Sequence, residues 1–121
     1  MTQERSHGDF AREWVEAFNS HDLGRILAHY GDGVELISPL YLGFSRGAAD
    51  AVRGKASLRH YFEAALERYP DLRFTLLEVG EGARGPCLRY HSNVGDHIAM
   101  ECFQLDADGR AERVICHYVN R

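Results

Sequence analysis

The sequence has no long apolar run: its longest uncharged stretch, Leu36 to Ser45, spans about ten residues and contains Pro39 and Gly43. A membrane-crossing helix needs roughly 20 apolar residues, so no transmembrane segment is expected. The N-terminal stretch Met-Thr-Gln-Glu-Arg-Ser-His-Gly-Asp lacks the apolar core of a secretory signal, which makes the cytoplasm the expected compartment. Positive charge is not in excess either. Fourteen Lys and Arg stand against eighteen Asp and Glu, a net charge of −4, so no global positive field exists to hold a phosphate backbone, and nucleic acid is not an expected partner. Cysteine is scarce and odd in number. Cys87, Cys102 and Cys116 show no C-x-x-C spacing and fit reduced thiols better than a disulfide framework. Seven histidines raise the question of a metal. However, Cys116 and His117 are neighbours in an extended segment and point to opposite faces, so they cannot chelate together, and no metal site is expected. Internal repeats and low-complexity segments are absent.

What is present is an ordinary globular composition, 45% hydrophobic and 26% charged over 121 residues, which suits one domain spanning 1–121 with a true core. Phe10, Trp14 and Phe18 recur every four residues and predict a helix over about 6–19 with an aromatic stripe. Asp22 is a candidate N-cap for a second helix whose apolar side is Leu23, Ile26, Leu27 and Tyr30, stopped by Gly31-Asp32-Gly33. A short strand follows over 34–38. A loop then runs from Pro39 to Gly54, carrying Tyr41, Leu42 and Phe44. Leu58, Tyr61, Phe62, Ala65, Leu66 and Tyr69 predict a third helix over about 56–69, ended by Pro70.

From Leu72 the period becomes two, predicting antiparallel strands at about 72–80, 87–94, 97–105 and 110–119. A two-residue turn at Val94-Gly95-Asp96-His97 and a four-residue turn at Asp106-Ala107-Asp108-Gly109 would pair Leu88 with Phe103, Tyr90 with Glu101 and Ser92 with Ala99. They would also pair Glu101 with Val114 and Ala99 with Cys116. All of these, with Tyr118, share one face. The other face receives Arg89, His91, Met100, Cys102, Arg113, Ile115 and His117, and its apolar centre around Met100, Cys102 and Ile115 is the expected homodimer or protein contact. His21 reads as a turn residue capping a helix end.

This order of elements, with Trp14-Val15-Glu16-Ala17-Phe18-Asn19-Ser20-His21-Asp22-Leu23, the run Val34 to Pro39, and Val52-Arg53-Gly54-Lys55 before Leu58-Arg59-His60-Tyr61-Phe62, resembles the SnoaL-like branch of the nuclear transport factor 2-like superfamily. That branch includes polyketide cyclases and ketosteroid isomerases. The resemblance implies an α+β, cystatin-like cone: a curved, mostly antiparallel mixed sheet wrapped around the helices, with an apolar pocket at its open end. Ketosteroid isomerases use a base aspartate, an oxyanion tyrosine and a protonated carboxylic acid. By position these become Ser38, which precedes Pro39; Trp14; and Glu101, two residues before Phe103. The base is missing and the acid remains. In the limonene epoxide hydrolases of the same fold an aspartate lies on the last strand, where this chain has Cys116. Scytalone-type dehydratases use pocket tyrosines and histidines, and Tyr30, Tyr61, Tyr90 and Tyr118 are the matching tyrosines.

A carboxylate facing an apolar hollow has its pKa raised, which suits general acid or base work. Glu101 is therefore the expected catalytic group, assisted by Tyr90, Tyr118 or Trp14. The expected lining is Trp14, Phe18, Tyr30, Ser38, Tyr41, Tyr61, Phe62, Phe74, Leu88, Phe103, Val114 and Cys116. The function expected is cofactor-free acid–base chemistry of isomerase, cyclase, dehydratase or hydrolase type on a small, largely apolar compound. The alternative is a non-catalytic ligand-binding or protein-interaction domain.

Overall fold

The computed structural model describes residues 6–119; the first five positions of the N-terminal stretch lie outside them. Helix α1 (His7–Ser20) starts where the Ser6 hydroxyl accepts from the Asp9 backbone N–H, and it buries Phe10, Trp14 and Phe18. Its end is His21, whose left-handed backbone (φ 59°) turns the chain away from the helix axis. Asp22 caps α2 (Leu23–Leu27) by accepting from the Arg25 N–H. The Arg25 guanidinium in turn holds the Glu13 carboxylate at 2.7 and 2.9 Å, tying α2 to α1.

Tyr30 does not continue this helix, nor does Gly31-Asp32-Gly33 stop it. Those four residues open strand β1 (Tyr30–Ile37), with a register shift between Tyr30 and Glu35. The segment expected as a loop is also structured. Ser38 caps a six-residue helix α3 (Pro39–Phe44), Pro39 occupying the first turn where a missing N–H costs nothing, and β2 (Ala51–Arg53) then pairs with β1. Helix α4 (Lys55–Arg68) buries Leu58 and Phe62.

Strands β3 (Phe74–Gly80), β4 (Cys87–Ser92), β5 (His97–Leu105) and β6 (Ala111–Val119) form the antiparallel meander. The six strands make one mixed sheet, ordered β2-β1-β6-β5-β4-β3, in which β1 runs parallel to β6. Register shifts in β1, β3 and between β5 and β6 bend it into an open curve around α1 and α4.

The observed register differs from the expected one by two residues. Leu88 faces Glu101, Tyr90 faces Ala99 and Ser92 faces His97 in β4–β5; Glu101 faces Cys116 and Ala99 faces Tyr118 in β5–β6. The cause in the first hairpin is a longer connection: Asn93 and a 3₁₀ turn over Val94–Asp96 replace the two-residue turn. A slip of two leaves every side chain on its expected face, because facing alternates with period two. Among the described residues no helix is long and apolar enough to cross a membrane.

The rim segment between α4 and β3 is held by side chains that imitate backbone. The Asn19 amide accepts from the Phe74 N–H at 2.7 Å and donates to the Phe74 carbonyl at 2.9 Å. Asn93 does the same for Arg73 and Asp71, and the His21 ring meets the Leu72 carbonyl. Asn19→Ala leaves both Phe74 backbone groups without these partners, an expected loss of about 2 kcal/mol in urea unfolding. A loss below a few tenths would show that water replaces the amide without cost.

Candidate functional site

Inside the curve lies a cavity of about 520 Å³, within the range of small-molecule sites. Its walls are mostly apolar: Trp14 and Phe18 from α1, Leu36 from β1, Tyr61 and Phe62 from α4, and Phe74 from β3. Its polar groups gather on the sheet, at Ser38, Tyr90, Glu101, Cys116 and Tyr118. Leu40, Phe44, Arg68, Tyr69, Leu72 and His97 also line it.

Glu101 sits mid-strand in β5 on the inward face, 5% exposed. The Tyr90 hydroxyl donates to its carboxyl. Tyr90 stands opposite Ala99, so it reaches Glu101 along the diagonal of the β4–β5 pair, a span that suits a long aromatic side chain. The Cys116 thiol, directly across β6, is a second hydrogen-bonding neighbour of the carboxyl. Burial pushes the Glu101 acid from its ordinary 4.5 up to about 7, while the bonds from Tyr90 and Cys116 pull it down. Ser38 neighbours both Cys116 and Tyr118, and the phenols of Tyr90 and Tyr118 are driven up by burial and then by Glu101. The result is one acid that exchanges its proton near neutrality, among hydroxyls that stay protonated and can only donate or relay. Tyr90→Phe removes a bond that favours the carboxylate, so the Glu101 titration, followed by carboxyl-carbon NMR, is expected to move upward from about 7. A downward move would show that Tyr90 does not hold the carboxylate.

Of the expected lining, the structure places Trp14, Phe18, Ser38, Tyr61, Phe62, Phe74 and Cys116 on the wall, together with Glu101, Tyr90 and Tyr118. Tyr30, Tyr41, Leu88, Phe103 and Val114 are not on it. Leu88, Phe103 and Val114 belong to the buried core instead, where Phe103 meets the rings of Phe10 and Trp14 on α1. Tyr41 packs outside against Tyr61 and Phe44. Tyr30 is fully buried, its hydroxyl accepting from the Trp14 indole N–H at 2.9 Å. That bond also occupies Trp14's single donor, so Trp14 offers a ligand its ring and not its N–H. Several wall residues were not foreseen. Ala64 and Arg68 fall three and seven positions after Tyr61 on α4, a helical spacing that marks the same face, but one is small and the other charged. His91 pairs with Asp96 outside the cavity, and the described residues contain no His, Cys, Asp and Glu cluster suited to a metal.

Residues 11–120 match the model of the SnoaL-like domain. The chain belongs to the SnoaL-like family. A SnoaL-like protein of unknown function from Burkholderia thailandensis is 32% identical, with a TM-score of 0.90 and 94% of each chain covered. Other solved structures of this fold are described as NTF2-like, cystatin-like and ketosteroid isomerase-like. The epoxide hydrolase/cyclase-like enzyme SalBIII, which acts in pyran ring formation, shares the fold at 15% identity and a TM-score of 0.73, covering 93% of this chain and 90% of its own. The curated relative named fructose-bisphosphate aldolase from Nostoc commune is 32% identical over 106 residues, which is 88% of this SnoaL-like chain. The chain spans only 29% of the length of that relative and of a second one from another Nostoc strain.

Proposed function

We propose that this SnoaL-like protein binds a small, largely apolar organic compound in its cavity and carries out acid–base chemistry on it with Glu101, without a cofactor. The observation that carries the reading is a carboxyl group poised near neutrality at the inner wall of an apolar cavity, with protonated hydroxyls beside it. Near pH 7 such a group takes a proton from, or gives one to, a bound carbonyl or hydroxyl compound. General acid–base catalysis by a positioned group contributes roughly 10²–10⁴-fold. Tyr118 and Ser38 would donate to an oxygen on which negative charge develops, while Tyr90 keeps its single O–H on Glu101. Isomerisation, cyclisation, dehydration and hydrolysis all fit this inventory.

One observation favours a non-catalytic pocket instead. Ser38 stands where the isomerases carry their base, and its hydroxyl is used to cap α3. The two readings part in a single experiment. The protein is incubated with a metabolite extract, and compounds both bound and transformed are followed by mass spectrometry. Transformation by the wild type, and binding without transformation by Glu101→Gln, is the result expected of the enzyme. Binding without product by both proteins would leave a ligand carrier.

A further inference from the structure

Two thiols meet on the side of the sheet opposite Glu101. Cys87 opens β4 and Cys102 lies directly across from it in β5, their Sγ atoms 2.7 Å apart, both half-buried and reduced. Because Cys102 follows Glu101 in the strand, it projects to the other face. Directly opposed residues of antiparallel strands hold their Cα atoms about 4.5–5.5 Å apart, inside the ~4.4–6.8 Å span that a disulfide tolerates. Bond formation therefore requires side-chain rotation and no movement of the strands. Cys116, buried on the cavity side, cannot take part. A groove of about 250 Å³ runs beside the pair, bounded by the connection from Gly80 to Pro86, with Arg84 on its edge and Gln104 beyond Cys102. Both cysteines line this groove.

We propose that Cys87 and Cys102 are a reversible redox couple, oxidised to an intramolecular cross-strand disulfide by a low-molecular-weight disulfide that enters along this groove. One protein thiolate attacks a sulfur of the small disulfide, forming a mixed disulfide and expelling one half as a thiolate. The second protein thiolate then attacks the protein sulfur of the mixed disulfide and expels the other half. Two S–H bonds of the protein are lost and one S–S bond is gained. The reagent's S–S bond breaks, and its halves leave as two thiols carrying the two protons and the electron pair. Burial and the neighbouring Cys102 thiol push the Cys87 thiol up to about 12. Attack by Cys87 is therefore slow at neutral pH and quickens as pH rises.

The test exposes the folded protein to oxidised glutathione at pH 8, alkylates the remaining thiols in denaturant, and maps the peptides. One alkylated cysteine, Cys116, and a linked pair of peptides carrying positions 87 and 102 are expected. Dithiothreitol should restore three free thiols. Closing a loop between positions 15 apart is expected to raise Tm by several degrees in the oxidised form. Cys87→Ser and Cys102→Ser should each stop at a glutathione mixed disulfide on the remaining thiol. Three free thiols after exposure, a mixed disulfide that persists in the wild type, or a covalent dimer on a non-reducing gel would each overturn the proposal.

Discussion

Glu101→Gln is expected to make the protein more stable at pH 8 by about 3 kcal/mol while abolishing acid–base turnover. Burial raises the Glu101 acid from its ordinary 4.5 to about 7, and each unit of displacement is worth about 1.4 kcal/mol. The folded state therefore prefers the neutral acid. The stability it confers is fully present below about pH 4.5 and is lost as pH rises through about 7. At pH 8 the wild type keeps a charge in an apolar wall, whereas glutamine keeps the same shape, stays neutral and still accepts from Tyr90. Urea unfolding of both proteins across pH 4.5 to 9 checks the sign. The difference should grow as pH rises and level off above the folded-state titration. A difference independent of pH would remove the buried titrating acid, and with it the proposed chemistry. The coupling has a physical meaning for function: the position that would do the chemistry is maintained against the stability of the fold.

Trp14→Ala is expected to cost about 3–5 kcal/mol, the usual price of deleting a buried indole. The indole lies 4.8 Å from Phe18, stacks on Phe74 at an interplanar angle of 11°, and meets Tyr90 and Phe103 between ring centroids at 5.2 and 5.6 Å. Removing it opens the cavity toward the core and strips the Tyr30 hydroxyl of its donor. Since a domain of this kind holds about 5–15 kcal/mol in total, Tm should fall by roughly 10–20 °C. Trp14→Phe separates the two contributions. It keeps most of the ring packing and loses the bond to Tyr30, for an expected cost of about 1–2 kcal/mol. Equal losses in both variants would mean that the hydrogen bond, not the packing, dominates.

The faces of the sheet were legible in the sequence because they depend only on alternation. Glu101, Tyr90, Tyr118 and Cys116 share the inward face whichever even register the hairpins choose. The registers themselves depended on a connection whose length is not written in the Gly95-Asp96 pair alone, since Asn93 is drawn into the turn by its bonds to Asp71 and Arg73. Helix α3 escaped because a six-residue helix has too few periods to show a pattern, although Ser38-Pro39 is a good helix start. Tyr30 was misread because its aromatic ring fits a helical spacing from Ile26 and Leu27, while the decisive interaction, pairing of β1 with β6, is remote in sequence. The cavity wall was half legible. Large aromatics announce themselves, but Ala64, Arg68 and His97 line it only because the curvature of the sheet brings α4 and the start of β5 to its edge.

That parallel pairing of β1 with β6 has a consequence for how the protein is made. Ser38 directly follows the first strand, whereas Cys116 and Tyr118 belong to the last, and the two strands are neighbours. During vectorial synthesis the hydroxyl waits through every other element before its neighbours emerge from the ribosome. A nascent chain arrested before β6 would carry Glu101 with Tyr90 of β4 beside it but without Cys116 and Tyr118 on its other flank, so the proposed site is complete only once the last strand has been made. This pairing joins residues far apart in sequence, the kind of contact that slows folding.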